Sequence, residues 1–272
     1  SVELKDSGIA FGSQSLGSVL DSGQLDADAY QRIQVTKSKA WGLSKSTSYE
    51  RHTQDLDVGI RESMGDIFSY LGEAVVGSAE ILGITTVKQV APAIDTALSK
   101  AFSSSSSGFG FGFVLADFVN IDWSALGGTA PETVEVDLRE ALADYQIDIG
   151  DISFRGLDGE ETQEELEAIF SQQSDLIAVY LVPAISDYQQ MGEGAFETLQ
   201  RVAVEQVVFN DHLERTGVSL GDLSAVMQID VAQSILGMMG GLEAFSEATN
   251  EYYQSFFSEA EQFAQLEKSL GE

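Results

Sequence analysis

Forty-four Asp and Glu side chains are the largest supply of reactive groups in this chain. Two carboxyls held at a fixed separation across a cleft could hydrolyse a glycoside, one as the acid and the other as base or nucleophile. With so many acids, chance pairs occur everywhere. None is flanked by a pocket signature, so they read as solvated helix faces. His212 stands beside Asp211 and two residues before Glu214. A nucleophile–base pair there would need a Ser delivered by the fold, and no GxSxG elbow occurs; His212 is expected at a surface or interface. Asp148 to Asp151 and Asp158 to Glu161 offer oxygens to calcium, without EF-hand spacing. The Gly alternation at Gly108, Gly110 and Gly112 lacks the spacing and the following Lys-Ser/Thr of a phosphate loop. Cysteine is absent, which removes disulfides and thiolate metal sites, and the two histidines, His52 and His212, lie far apart. The expectation is no catalytic residue, no cofactor and no metal.

The elements that would carry any other function are mostly helical. Residues 1–28 are rich in Gly, Ser and Asp and read as loops with one or two short strands. From 30 to 52, Ile33 and Val35 alternate with polar neighbours, Trp41-Gly42-Leu43 is a turn-like corner, and Thr47 and Tyr49 suit a returning strand. A basic β-hairpin results. Ile60, Met64, Ile67, Leu71, Val75 and Leu82 then fall at helical spacing, opposite Asp66, Glu73 and Glu80, with Gly83 as a stop. Val87 to Phe102 reads as a second helix with Pro92 near its first turn. After the low-complexity Ser103–Ser107 joint, apolar residues alternate from Phe109 to Trp123 as on a strand face, which would pair with 145–154 or a neighbouring subunit.

Residues 131–143 suit either a strand through Val134 and Val136 or a helix behind Pro131; helix is favoured. A short β-type segment near 150 precedes Asp158, which should cap a helix with Glu161 closing a capping box. An apolar helix kinked at Pro183, a joint at Gly192 and Gly194, and a stripe of Phe196, Leu199, Val202, Ala203, Val207 and Leu213 follow. Ser219 with Asp222 should open the next helix, ending near Gly237 to Gly241. One aromatic helix from Leu242 to Leu266 closes the chain. The fold class expected is mainly α with a minor β component (α+β). Four regions are expected: 1–53 with the hairpin, 54–107 as a helical pair and Ser-rich joint, 108–157 containing strand, and 158–272 helical.

Apolar residues make up 43% of the chain and charged residues 21%, enough for a real core. The net charge of −30 repels phosphate backbones and anionic headgroups. Residues 1–52 balance six basic against six acidic side chains, leaving 8 basic against 38 acidic in 53–272. Such polarity suggests that one end meets a different surface from the rest. No run of about 20 apolar residues exists to span a bilayer. With serine first and no cleavable signal pattern after it, the chain is expected to be part of a longer polypeptide.

Several segments in order resemble the C-terminal region of bacteriophage tail-length tape measure proteins. TKSKAWGLSKSTSY (36–49) looks like that family's basic hairpin, and GDISFRGLDGEETQEELEAIFSQQSDLIA (150–178) like its strand-to-helix block. PAISDYQQMGEGAFETLQRVA (183–203) and NEYYQSFFSEAEQ (250–262) look like its Gly-hinged helix and terminal aromatic helix. The resemblance runs over residues 30–265. It implies a virion protein of the tail lumen and tip, whose parent sets tail length and leaves ahead of DNA through the host envelope. It also implies partners: tail-tip, hub and distal tail proteins, and sibling copies, often three, with no stable hold on nucleic acid. The candidate partner-binding residues are Lys37, Lys39, Trp41 and Lys45 on the hairpin, Ile60, Met64 and Leu71 on the first long helix, and Tyr252, Tyr253, Phe256, Phe257 and Phe263 at the C-terminal end. The competing classes are a non-viral acidic surface or secreted binding module and an envelope-degrading enzyme domain.

Overall fold

The computed structural model describes residues 1–39, 44–90 and 133–270. Over these residues the chain is mixed α+β, helix predominating, with small sheets. The Trp41 corner, the 91–102 part of the expected second helix, the Ser-rich joint and the Phe109–Trp123 strand lie outside the described residues.

The N-terminal segment forms more regular structure than its Gly and Ser content suggests. β1 (Val2–Phe11) runs for ten residues, followed by β2 (Gln14–Ser15) and the short helix α1 (Leu16–Ser22). β3 (Ala27–Lys39) and β4 (Ser44–Asp55) form the expected antiparallel hairpin, with Lys37 opposite Ser46 and Ser38 opposite Lys45. Composition misled over 1–28 because β1 is held by pairing on both sides, a long-range effect. The sheet order is β4-β3-β1-β8, where β8 is Asp151–Ser153. Gly8 is required there: a Cβ would stand 1.8 Å from the Ile152 carbonyl oxygen.

α2 (Val58–Ile81), capped by the Asp57 carboxylate on the Gly59 amide, is the central helix. Its buried face is Met64, Phe68, Val75, Val76 and Ala79, a little rotated from the sequence reading, so Ile60 and Ile67 on the stripe's edge are exposed. The helix stops at Gly83, whose φ of 76° is open to glycine without strain. Beyond it the chain is strand, not helix: β5 (Thr86–Val90) pairs with β6 (Thr133–Asp137). The 131–143 ambiguity resolves as both, because Asp137 ends β6 and caps α3 (Leu138–Asp144) through the Arg139 amide. Residues 145–154 pair with the N-terminal strands: β7 (Gln146–Ile147) with β2, and β8 with β1.

α4 (Gly159–Leu181) opens with the expected capping box: Asp158 accepts from the Glu160 and Glu161 amides and Glu161 accepts from the Asp158 amide. Pro183 begins a separate 3₁₀ turn, Pro183–Tyr188, instead of kinking a continuous helix. α5 (Ala195–Arg215) follows the glycine joint and buries Leu199, Val202 and Ala203, while Val207 faces solvent. α6 (Ala225–Met239) starts at Ser224, five residues later than Ser219. The aromatic C-terminus is two helices, α7 (Leu242–Phe256) and α8 (Glu259–Leu270), because Ser258 caps the second through Glu261.

Two apolar clusters result. The main core joins the inner sheet face (Ile9, Phe11, Ala27, Ile152) to α1 through α5 and Ile229. A satellite core of Phe209, Ala232, Leu236 and Phe245 ties α5, α6 and α7 together. Among the described residues no single helix is long and apolar enough to cross a membrane.

Candidate functional site

Most candidate residues belong to two separate surfaces. The first is the far end of the β3–β4 ribbon. β1 supports β3 only as far as the Val2–Val35 pair, and Thr36 donates to the Ser1 carbonyl, so the ribbon overhangs its third strand from residue 37 outward. Every described side chain of β4 from Lys45 to Asp55 is exposed. Lys37 and Lys45 are exposed on opposite faces of this arm, and no ion pair holds them among the described residues. Lys39 ends β3. Strand parity places Val2, Leu4, Ile33 and Val35 on one face, continuing the apolar row of Ile9 and Phe11 outward past the helices. Val2 and Leu4 are 67% and 56% exposed there, so the row leaves the core and meets solvent.

The opposite face of the sheet is braced by charge. Arg51 donates to both Asp151 oxygens, at 2.6 and 2.9 Å, and Arg32 approaches the same carboxylate at 3.5 Å. The Arg51 guanidinium lies 4.6 Å from the Tyr30 ring centroid. Tyr30 and Ser153 hydroxyls donate to Asp6. The Ser153 bond holds the Asp6 carboxyl below its ordinary range, and the Arg51 bonds do the same for Asp151. Asp151 is thereby committed to arginine. Asp158 and Glu161 are likewise engaged in the α4 cap. No group of three His, Cys, Asp or Glu among the described residues could hold a metal ion.

The second surface is the C-terminal end. The stripe of α7 starts buried at Phe245, stacked on Phe209 with centroids 5.0 Å apart, and runs outward to Tyr252 and Phe256. Tyr252 and Phe256 pack ring on ring yet remain 49% and 73% exposed, and Phe263 on α8 is exposed too. Phe257 is half-buried. Tyr253 is buried within the chain, under Arg215 and against Phe257, and so is not a surface contact.

The α2 candidates are corrected similarly. Met64 lies in the main core and Leu71 is half-buried, because α2 packs on α1, α4 and α5 of its own chain; only Ile60 is exposed. Trp41 lies outside the described residues. His212, expected at a surface or interface, is buried within the chain with its ring edge-on to Phe245, and that burial lowers its pKa.

Between 3₁₀ turn, α5 and α6, sequence reading missed a network. Arg201 binds Glu193 at 2.8 Å, Glu205 at 2.9 Å and the Tyr188 carbonyl at 2.7 Å. Tyr188 in turn donates to Asp230 on α6. The Arg201 bond is the main cause holding the Glu193 carboxyl down at about 2. Only the Arg201–Glu205 spacing of four was visible in the sequence. A shallow groove between the end of α5 and the start of α6, lined by Asn210, Leu213, Leu220 and Gln228, has Glu214 as its one titratable side chain. No protein-family model matches the chain, and no curated protein or solved structure is similar to it.

Proposed function

We propose that this chain is the distal, tail-tip end of a phage tail-length tape measure protein, a structural docking module and not an enzyme. The observation that carries the reading is the ordered resemblance of four segments over residues 30–265. The architecture supports it in kind. Paired charges such as Arg51–Asp151 and Arg201–Glu193 brace the fold, while apolar and aromatic side chains are left exposed at the arm and at α7–α8. Exposed aromatics beside charge are the anchors that protein interfaces use. In this role the arm and the C-terminal helices grip tip proteins and sibling copies. The acidic body lies along the DNA route without retaining it, since phosphate contact needs basic neutralisation that the body lacks.

Antibodies against this fragment test the reading directly. On partly opened phage particles from the source of this sequence, gold label at the tail end away from the head is expected. Label on capsids only, or an absence of the chain from purified particles, overturns it.

A further inference from the structure

We propose that α7 and α8 form a salt-controlled latch, closed on α5 at high ionic strength and swinging away when ionic strength falls. The latch lies within one copy of the chain, needs no partner, and is independent of the tail-tip reading. Charge is arranged differently at the junctions of the body and at this one. In the body, guanidinium groups stand between acids of different elements: Arg51 with Asp151, Arg139 with Glu73 and Glu80, and Arg201 with Glu193. Residues 216–267, by contrast, hold eight acidic side chains and no Lys or Arg. Among the described residues, the cation that touches α7 is Arg215 at the end of α5. It lies 5.1 Å from the Tyr253 ring centroid and also approaches Asp211 at 3.7 Å.

Little apolar surface holds α7 closed. Its buried side chains are Phe245, stacked on Phe209, and Tyr253. Against them stand Glu243, Glu247 and Glu251, all exposed and each about 6 Å along the helix axis from the next. Like charges at this spacing destabilise a helix. Asp211 and Glu214, exposed on the last turns of α5, add the same sign beside the surface on which α7 closes. The joint suits a swing. Gly240 and Gly241 link α6 to α7 with φ of 88° and 110°. α6 itself stays with the body, because Ile229 belongs to the main core and Asp230 accepts from Tyr188.

Salt sets the balance. Repulsion between exposed carboxylates reaches about 30 Å in 0.01 M salt and about 3 Å in 1 M. The stacking of Phe245 on Phe209 is apolar and is not screened in this way. Salt also weakens the pull of Arg215, but that single cation is outnumbered. Closure is therefore favoured as ionic strength rises.

Hydrogen exchange of the whole chain in about 10 mM and about 500 mM sodium chloride tests this, with α2 amides as the internal reference. Relative to α2, α7 amides are expected to exchange about tenfold faster in the dilute salt. Glu247→Gln removes the middle charge and both four-residue repulsions, and should cut that ratio to about threefold. Glu247→Lys turns both repulsions into attractions and should lower the ratio further. Circular dichroism in the concentrated salt checks that both variants keep the fold, Glu247 being exposed. A ratio indifferent to salt, an equal salt effect on α2 and α7, or variants that keep the full wild-type ratio overturns the proposal.

Discussion

The two apolar cores of this chain are unequal, and the inequality explains where function can reside. The main core draws fully buried side chains from the sheet and from five helices: Leu16, Phe68, Leu142, Ile177 and Leu199 are at most 2% exposed. The satellite core rests on Phe209, Ala232, Leu236 and Phe245. Local stability follows buried apolar area, so the C-terminal helices should open at lower cost than the body. A docking end that can rearrange on a firm base is the consequence.

The sharpest way to break that contrast is a matched pair of truncations. Phe68→Ala, at a fully buried ring edge-on to Phe170, should cost about 3–5 kcal/mol and lower the denaturant midpoint of every element together. Phe245→Ala should cost about 3 kcal/mol in the satellite only. Hydrogen exchange would then show α6 and α7 amides losing protection while β1, β3 and α2 keep theirs. Equal loss in both regions would mean a single cooperative unit.

Acid separates the regions by group. Glu193 is held down at about 2 by Arg201, from an ordinary value near 4.5. The unfolded chain binds that proton first, so stability present above pH 4.5 is lost as pH falls through 4.5 toward 2. Both side chains are about four-fifths covered yet reach water, and solvent screening brings the expected loss to about 1 kcal/mol. Arg201→Met should erase this acid-dependent slope, read from urea midpoints between pH 5 and 2.5.

The smallest expected effect is at His212. Its pKa is lowered, chiefly by burial and then by Arg215, with Asp211 opposing. The unfolded imidazole therefore takes a proton first, and satellite stability present above pH 6.5 declines as pH falls below it. Faster exchange of α7 amides at pH 5.5 than pH 7.5, after correction for intrinsic rates, is the expected reading. His212→Leu should flatten it.

Helix ends were legible in the residues because capping is local. Asp158 with Glu161, Gly83 and Gly240 act within a few residues of themselves. The hairpin was legible for the same reason: its strands are neighbours in sequence. By contrast, residues 1–28 read only as loops with one or two short strands and the ten-residue length of β1 was missed, since its partners lie as far off as Ser153, and the aromatic C-terminus read as one helix until Ser258 broke it. Of the candidate contacts, Lys37, Lys45, Tyr252, Phe256 and Phe263 are exposed, but Met64 and Tyr253 are enclosed by their own chain. Periodicity shows that a helix has an apolar face; it does not say what meets that face.

The amino-acid order alone determined the charge polarity between the two ends, the helical majority, and the start and stop of several helices. These follow from composition and from interactions a few residues long. Tertiary structure alone decided that Arg51 would hold Asp151 across 100 residues, and that α2 would turn Phe68 inward and Ile60 out. It also decided that the rows at Leu4 and Phe256 would run out of their cores. Those outcomes depend on how distant segments share one interior, and burial is a property of the whole packed chain that no short window contains.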